Sequence, residues 1–306
     1  SLRDELDLDK DITYGMELEF KVENNSNKVI ESKLKSLNYK LLLDGILDNC
    51  WWDFKEETSL TNGYEITSPI FRNKKDEWIQ LKEVCNIIKN NNGEINEKTA
   101  GHIHIGSQIL GSNKDNWLNF FKLYIAYENL IYRFSYGEYE SGRNYTNSFA
   151  APTAHIFYKN LEKIDDTYTL YKILKLMHTE YKRKGISFYK YDNKMAFEKD
   201  RTIEFRMPNA TLEPTIWQNN VNFFSHILTY CKNDNFDMDL ILKRIENNRK
   251  NLGNLPTYVS IDIEEAFELS DLIFDNNLDK INFLRQYFKN FTPNGEFIKT
   301  KTFIKK

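Results

Sequence analysis

The sequence predicts an α+β protein with a mostly antiparallel sheet and a helical C-terminal part. Several short segments alternate apolar and charged residues with a period of two, as in strands with one buried face. Longer segments repeat apolar residues every three or four positions, as in amphipathic helices. The chain contains no internal repeat, low-complexity linker or break in composition. We therefore predict one domain over residues 1–306.

The first predicted strand covers residues 14–22, where Met16, Leu18 and Phe20 alternate with charged residues. Asn62-Gly63 is a strong turn signal, and it separates the next two predicted strands. The remaining predicted strands cover residues 51–54, 64–67, 100–107, 187–191 and 201–207. Pro69 and Pro208 follow two of these segments and end them, because proline lacks the amide hydrogen that a sheet ladder uses.

The apolar periodicity also predicts a series of helices. They cover residues 25–37, 75–90, 115–134, 167–184, 214–231, 239–247, 263–274 and 279–288. Pro214 suits the first position of its helix, where no amide hydrogen is needed. Residues 135–159 show no such periodicity, and we predict a loop there.

The composition is that of a globular protein and argues against two classes of function. Hydrophobic residues make up 41% and charged residues 28% of the chain. The net charge is −3, and Lys and Arg are interleaved with acidic residues until the last few positions, which disfavours nucleic-acid binding. No uncharged apolar stretch is long enough to span a bilayer, so no membrane role is expected.

Cysteine usage and the N-terminal residues suggest where the protein resides. Cys50, Cys85 and Cys231 lie far apart and lack the spacing of metal ligands, as expected of buried thiols in a reducing compartment. The first residues lack the apolar region of a signal peptide. We predict a cytoplasmic protein.

Three predicted strands combine an apolar face with a face that carries only carboxylate, imidazole or guanidinium groups. Residues two apart on a strand point to the same side. The pairs that share a face in this way are Glu17 with Glu19, His102 with His104, and Glu204 with Arg206. Each pair alone has an ordinary interpretation: a solvated face, a structural or zinc-binding histidine pair, or a cross-strand ion pair. Together they indicate a site for cations and phosphates.

The motifs that contain these residues resemble, in order, those of the amidoligase family. That family belongs to the glutamine synthetase and glutamate–cysteine ligase superfamily of carboxylate–amine ligases. The matching segments are residues 15–20, 57–60, 63–69, 101–105 and 202–206, and the resemblance covers about residues 14–224. Two details depart from the family pattern. Ala100-Gly101 replaces the frequent Cys-Gly, and Glu57-Thr58-Ser59 replaces Asp-Gly-Ser, which makes Glu57 the least secure ligand.

The resemblance implies a curved, mostly antiparallel sheet of the glutamine synthetase catalytic type, with helices on its outer face. It implies that the concave face binds ATP and at least two divalent cations, Mg²⁺ or alternatively Mn²⁺. Glu17, His104 and Glu204 would hold the metal that bridges the phosphates. The metal nearer the carboxylate substrate would be held by Glu19, Glu57 and Glu65. Arg206 would contact the transferring phosphoryl group and act with Glu204 in catalysis.

Other residues are weaker candidates for the site. His102, Lys190 and Asn193 are predicted to contact ATP. Arg143 is a candidate to bind a substrate carboxylate in bidentate geometry, although a surface arginine is the more ordinary interpretation. Selectivity is expected in residues 135–159 and in the helical part after residue 236, because substrate-facing loops vary most. The chain has no glycine-rich loop of the P-loop or Rossmann type.

The sequence therefore predicts an ATP-dependent ligase that joins a carboxylate to an amine through an acyl phosphate. Either substrate would be an amino acid, amine, peptide or protein. Two alternatives remain open at this point. A metal-dependent hydrolase that uses His102 and His104 would act without ATP, and a catalytically silent module of the same fold would bind a peptide or nucleotide without turnover.

Overall fold

The fold is built on a six-stranded sheet in which every neighbouring pair of strands is antiparallel. The computed structural model describes residues 2–23, 25–46, 51–144, 146–178, 183–188, 196–198, 201–289 and 300–303. The strands are β1 Tyr14–Lys21, β2 Asp53–Glu56, β3 Gly63–Thr67, β4 Gly101–Gly106, β5 Ile186–Ser187 and β6 Thr202–Phe205. Their order across the sheet is β2-β3-β1-β4-β6-β5, which places β1 and β4 at the centre.

The helices occupy the segments between the strands and most of the C-terminal part. They are α1 Ser26–Leu43, α2 Lys75–Asn90, α3 Lys114–Ser135, α4 Thr146–Phe149, α5 Ala154–Leu161, α6 Leu170–Met177, α7 Pro214–Cys231, α8 Met238–Asn248, α9 Ile263–Ile273 and α10 Asn277–Phe288. Several begin at a side chain that accepts a hydrogen bond from a free amide of the first turn. Asn113, Asp237 and Asp262 cap α3, α8 and α9 in this way.

One face of the sheet is apolar and packs against helices. Its side chains are almost fully buried and include Leu18, Phe20, Ile66, Ile103, Ile105, Ile203 and Phe205. The ring of Phe205 stacks on Phe224 of α7, with the centroids 4.0 Å apart, and meets Phe120 of α3 edge-on. Tyr14 stacks on Trp78 of α2 at 5.3 Å. Because this face lies against the helices, the alternate side chains of the same strands point to the opposite side.

The register of the central strands decides which of those alternate side chains become neighbours. Glu17 of β1 lies opposite His102 of β4, and His104 of β4 lies opposite Glu204 of β6. On the other side of β1, Glu19 lies opposite Glu65 of β3. Directly opposed residues have Cβ atoms about 5 Å apart. The register therefore gathers carboxylates and imidazoles from four strands on one face.

The structure confirms the mixed α/β, antiparallel character and most predicted elements. The predicted helices at 75–90 and 214–231 match α2 and α7 at both ends. Helix α1 runs six residues beyond its predicted end at residue 37, and β2 lies two residues later than predicted. Helix α6 is shorter than predicted. Residues 179–182 and 189–191, which complete two predicted elements, lie outside the described residues.

The prediction of a loop over residues 135–159 is wrong, because α4 and most of α5 lie within it. Helix α5 begins where the buried carboxylate of Glu128, on α3, accepts hydrogen bonds from the amides of Thr153 and Ala154 at 2.7 and 2.8 Å. A carboxylate that satisfies free amides at a helix N-terminus stabilises the helix. This partner is distant in sequence, so no local pattern reveals it.

Within the described part of the chain, no helix combines the length and the apolar character that crossing a bilayer requires. Cys85 and Cys231 are buried free thiols, as predicted, and Cys50 lies outside the described residues.

Candidate active site

Two groups of potential metal ligands lie on the charged face of the sheet. The first, called here the histidine–glutamate cluster, comprises Glu17, His104 and Glu204. The second, the glutamate cluster, comprises Glu19, Glu57 and Glu65. In each cluster, one ligand atom per residue lies within 4.8 Å of the others. Glu17 and Glu19 are two residues apart on β1, so the central strand carries one member of each cluster.

Glu17 is the centre of the histidine–glutamate cluster. Its Oε1 lies 3.1 Å from Nε2 of His104, and its Oε2 lies 3.0 Å from Nδ1 of His102. Nδ1 of His104 lies 3.0 Å from Oγ1 of Thr202, on β6. The side chains of Glu17, His104 and Glu204 retain 16–22% exposure, so a ligand from solvent can reach them.

Arg206 lies immediately beside this cluster. Its Nη1 donates to Oε1 of Glu204 at 2.5 Å, and its Nε donates to the carbonyl of Phe149 at 3.4 Å. The guanidinium group is thus held next to the cluster while its side chain stays 16% exposed. A fixed, partly exposed arginine beside anionic ligands is suited to binding phosphate oxygens.

Arg206 and the two neighbouring histidines keep the carboxylates of this cluster ionised. Burial by itself favours the neutral acid, but hydrogen bonds and charge from His102 and His104 hold the pKa of Glu17 well below its usual range. Burial likewise opposes ionisation of Glu204, and His104, Arg206 and His102 outweigh it and lower the pKa of that carboxyl. Both side chains are therefore anionic at neutral pH, as ligands for a cation must be.

The glutamate cluster joins two facing strand residues to a turn residue. Glu19 and Glu65 are buried, and Glu57 is half-buried. Oε2 of Glu19 accepts a hydrogen bond from the amide of Ala100 at 2.8 Å. Oε1 of Glu65 lies 2.7 Å from Nζ of Lys55, the residue that faces it on β2. One carboxylate oxygen of each residue nevertheless lies within 4.8 Å of one from each of the other two.

The glutamate cluster is deficient in positive charge. Burial raises the pKa of Glu19, although His102 and Arg143 oppose the increase. Burial also raises the pKa of Glu65, and the negative charge of Glu17 adds to it, while Lys55 offsets part of the effect. Three crowded carboxylates, of which Glu19 and Glu65 have raised pKa values, form a site that a divalent cation would stabilise. The two clusters therefore differ in electrostatics: neighbouring groups lower the pKa values of Glu17 and Glu204 in the first, whereas burial raises those of Glu19 and Glu65 in the second.

The turn that carries Glu57 depends on Gly63. The amide of Glu57 donates to the carbonyl of Gly63 at 2.9 Å, and the amide of Gly63 donates to that of Leu60 at 3.2 Å. A Cβ atom at position 63 would lie 2.2 Å from Cβ of Leu60 and 3.1 Å from the carbonyl oxygen of Glu57. The absence of a side chain at this position lets the turn close tightly enough to bring Glu57 to Glu65.

We expect Gly63→Ala to move this turn and to destabilise the protein by about 1–3 kcal/mol, the usual cost of overpacking. Chemical denaturation would measure the loss. Gly15→Ala is the matched control, because a Cβ there would meet its nearest neighbour, Oγ of Ser68, at an ordinary 3.7 Å. An equal loss in both variants would contradict the account of the turn.

Of the three remaining predicted site residues, the structure describes only Arg143. Arg143 is buried, so the interpretation as a surface arginine is wrong. Its Nη1 donates to the carbonyls of Met207 and Pro208, and its Nη2 donates to that of Arg206, all at 2.9–3.1 Å. These bonds fix the segment that follows β6, because they satisfy carbonyls that leave the sheet there. Lys190 and Asn193 lie outside the described residues.

Sequence reasoning missed two residues that contact the clusters. Lys55 pairs with Glu65, and Thr202 contacts His104. A signal existed for Thr202, because it lies two residues before Glu204 in a predicted strand. The period of two would have placed Thr202 on the charged face with Glu204. Lys55 lies beyond the predicted strand at 51–54, so only the observed register of β2 and β3 pairs it with Glu65.

Comparison with known proteins agrees with the motifs. The model of one protein family, described as "Putative amidoligase enzyme", matches residues 9–228, which include every member of both clusters. A search of curated proteins finds no match. The matched region covers more than half of the chain and contains all six strands of the sheet. The chain therefore belongs to the amidoligase family.

Proposed function

We propose that this protein is an ATP-dependent ligase that joins a carboxylate to an amine through an acyl phosphate, on a sheet of the glutamine synthetase catalytic type. The observation that carries the proposal is the pair of ligand clusters on one sheet face of an amidoligase-family chain. One cluster has an arginine beside it, and the other is an acidic group two strand positions away. Such a pair matches the two partners of the reaction, a triphosphate and a carboxylate.

The donor atoms fit hard divalent cations. Five carboxylates and one imidazole make up the two clusters, and oxygen-rich sets of this kind suit Mg²⁺ or Mn²⁺. Glu17, His104 and Glu204 would hold the cation at the ATP phosphates. The cation at the substrate carboxylate would be held by Glu19, Glu57 and Glu65. When bound, these cations would neutralise the repulsion between an anionic carboxylate and an anionic triphosphate.

The surrounding residues orient the ligands and the transferring group. Thr202 contacts Nδ1 of His104, which leaves Nε2 directed at Glu17 and the ligand cluster. His102 is buried and lies 3.0 Å from Glu17 and 3.5 Å from Glu204, which favours a positioning role over the predicted contact with ATP. Arg206 would stabilise the charge that spreads over the phosphoryl oxygens during transfer.

The proposed reaction has two steps. A carboxylate oxygen of the first substrate attacks the γ-phosphorus of ATP, the bond to the bridging oxygen breaks, and ADP leaves. The amine of the second substrate then attacks the acyl carbon, phosphate leaves with the electron pair of the broken bond, and the nitrogen loses a proton. The first step is needed because a free carboxylate has no good leaving group, whereas an acyl phosphate has one.

The test is ADP release by the purified protein with Mg-ATP and a panel of carboxylate and amine pairs. We expect release that depends on the substrates, disappears with a chelator and returns with Mg²⁺ or Mn²⁺, because phosphoryl transfer from ATP would require cations in the clusters. Amide hydrolysis without ATP, restored by Zn²⁺ alone, would overturn the proposal in favour of the hydrolase. The geometry disfavours that alternative, since only one of the two histidines, His104, belongs to a ligand cluster among the described residues.

A further inference from the structure

A cavity of about 920 Å³ lies beyond the glutamate cluster, at the end of β1. Lys21, which lines it, follows Glu19 by two residues and points to the same face, about 7 Å further along the strand. The amide of Lys21 donates to the carbonyl of Glu94 at 2.9 Å, and the amide of Glu94 donates back at 2.8 Å. This reciprocal pair fixes residues 92–98 as one wall of the cavity, next to the charged face.

The opposite wall consists of Tyr139 and residues 300–303. The amide of Lys301 donates to the carbonyl of Glu138 at 2.8 Å, and the amide of Glu140 donates to the carbonyl of Lys301 at 3.1 Å. The rings of Tyr139 and Phe303 stack with centroids 4.1 Å apart. Backbone pairing and ring stacking therefore hold this wall in place, and Tyr139 brings the region predicted to govern selectivity into the cavity.

The charged groups that line the cavity are balanced in number. Three are cationic and three anionic, namely Lys21, Lys98, Lys301, Glu23, Glu94 and Glu97. Two asparagines and two threonines in the lining add amide and hydroxyl groups that can bond a peptide backbone. A polyamine would pair only with the glutamates, and a dicarboxylate without an ammonium group would pair only with the lysines. A molecule with charges of both signs finds a partner for each.

We propose that this cavity binds the carboxylate substrate and that this substrate is a short acidic peptide with free termini. The inference rests on the proposed ligase function, because it places the reactive carboxylate at the glutamate cluster. A second carboxylate of the peptide meets Lys21, and its ammonium group meets a glutamate of the walls. The volume lies near the upper end of the range of about 300–1,000 Å³ typical of ligand pockets, which suits several linked residues better than a single amino acid.

The test is calorimetric binding of the tripeptide Gly-Glu-Gly in the presence of Mg²⁺, compared with the same tripeptide acetylated and amidated at its ends. We expect the blocked peptide to bind at least tenfold more weakly, since it lacks both terminal charges. Lys21→Met should weaken binding of the free peptide by a similar factor, and Lys21→Arg should restore most of it. The matched control is Lys35→Met, an exposed lysine of α1 that pairs with Glu31 and should change nothing.

Lysine acetylation followed by mass spectrometry gives a second readout that needs no variant to fold. The free peptide should protect Lys21 and Lys98 in the wild-type protein and leave Lys35 reactive. Equal affinity of the two peptides, or no protection of Lys21, would overturn the inference.

A parallel titration with Mg-ATP separates this inference from the proposed function. Substrate-dependent ADP release with other carboxylates, but no binding of the free peptide, would overturn the peptide assignment alone. Protection of Lys21 by the peptide without any ADP release from any pair would support the cavity as a peptide site and count against the ligase.

Discussion

Glu204→Gln is expected to lower substrate-dependent ADP release by roughly a thousandfold and to remove most Mg-ATP binding. Glutamine keeps the size of the side chain but removes an anionic ligand from the histidine–glutamate cluster. It also weakens the contact that holds Arg206, whose Nη1 lies 2.5 Å from Oε1 of Glu204. Both the cation at the phosphates and the arginine beside it would therefore be affected by one change. Calorimetry measures the loss of Mg-ATP binding, and an ADP-release assay measures the loss of turnover.

The matched control is Glu31→Gln, which removes an exposed carboxylate from α1, away from the charged face of the sheet. It should bind Mg-ATP and release ADP like the wild-type protein. Circular dichroism and thermal unfolding of both variants would show that the fold is retained. Near-normal ADP release by Glu204→Gln, in a folded protein, would show that the histidine–glutamate cluster is not the nucleotide site.

Glu65→Gln is expected to retain Mg-ATP binding and to lose formation of the acyl phosphate, by roughly a hundredfold or more. Glu65 belongs only to the glutamate cluster, and its Oε1 is contacted by Lys55 and Thr67. The change should therefore weaken the site for the substrate carboxylate and leave the site for the phosphates intact. Trapping of the acyl phosphate with hydroxylamine, together with Mg-ATP titration, distinguishes the two stages.

Glu56→Gln is the control for this second variant, because Glu56 lies on β2 opposite Tyr64, on the other face of the sheet from Glu65. It should behave like the wild-type protein in both assays. If Glu65→Gln loses nucleotide affinity as completely as Glu204→Gln does, the two clusters act as a single site. The assignment of one cluster to the ATP phosphates and the other to the substrate carboxylate would then be wrong.

Much of the charged face could be predicted from the sequence, because a strand has a period of two that requires no knowledge of the fold. That period placed Glu17 with Glu19 and His102 with His104. Which strands are neighbours is a non-local property, since β1 pairs with β3 on one side and β4 on the other. The grouping of Glu17 with His104 and Glu204 came from the family resemblance, and the structure brings those three residues together.

Other features could not be predicted, because they depend on contacts between distant segments. Arg143 has no local signal of burial, and only the carbonyls that follow β6 explain why it is inside the protein. Helix α5 depends in the same way on Glu128, a side chain 25 residues before its first capped amide. The cavity at Lys21 has one wall at residues 92–98 and the other at Tyr139 and residues 300–303, so the alternation of β1 alone gave no indication of it.

The alternation of apolar and charged residues on the central strands also links correct pairing to activity. A slip of β4 by one residue against β1 would turn His102 and His104 toward the helices and expose Ile103 and Ile105. Such a chain would lose its core and its ligands together, so it would be neither stable nor partly active. Poor expression conditions should accordingly yield fewer active molecules and leave the turnover number of each active molecule unchanged.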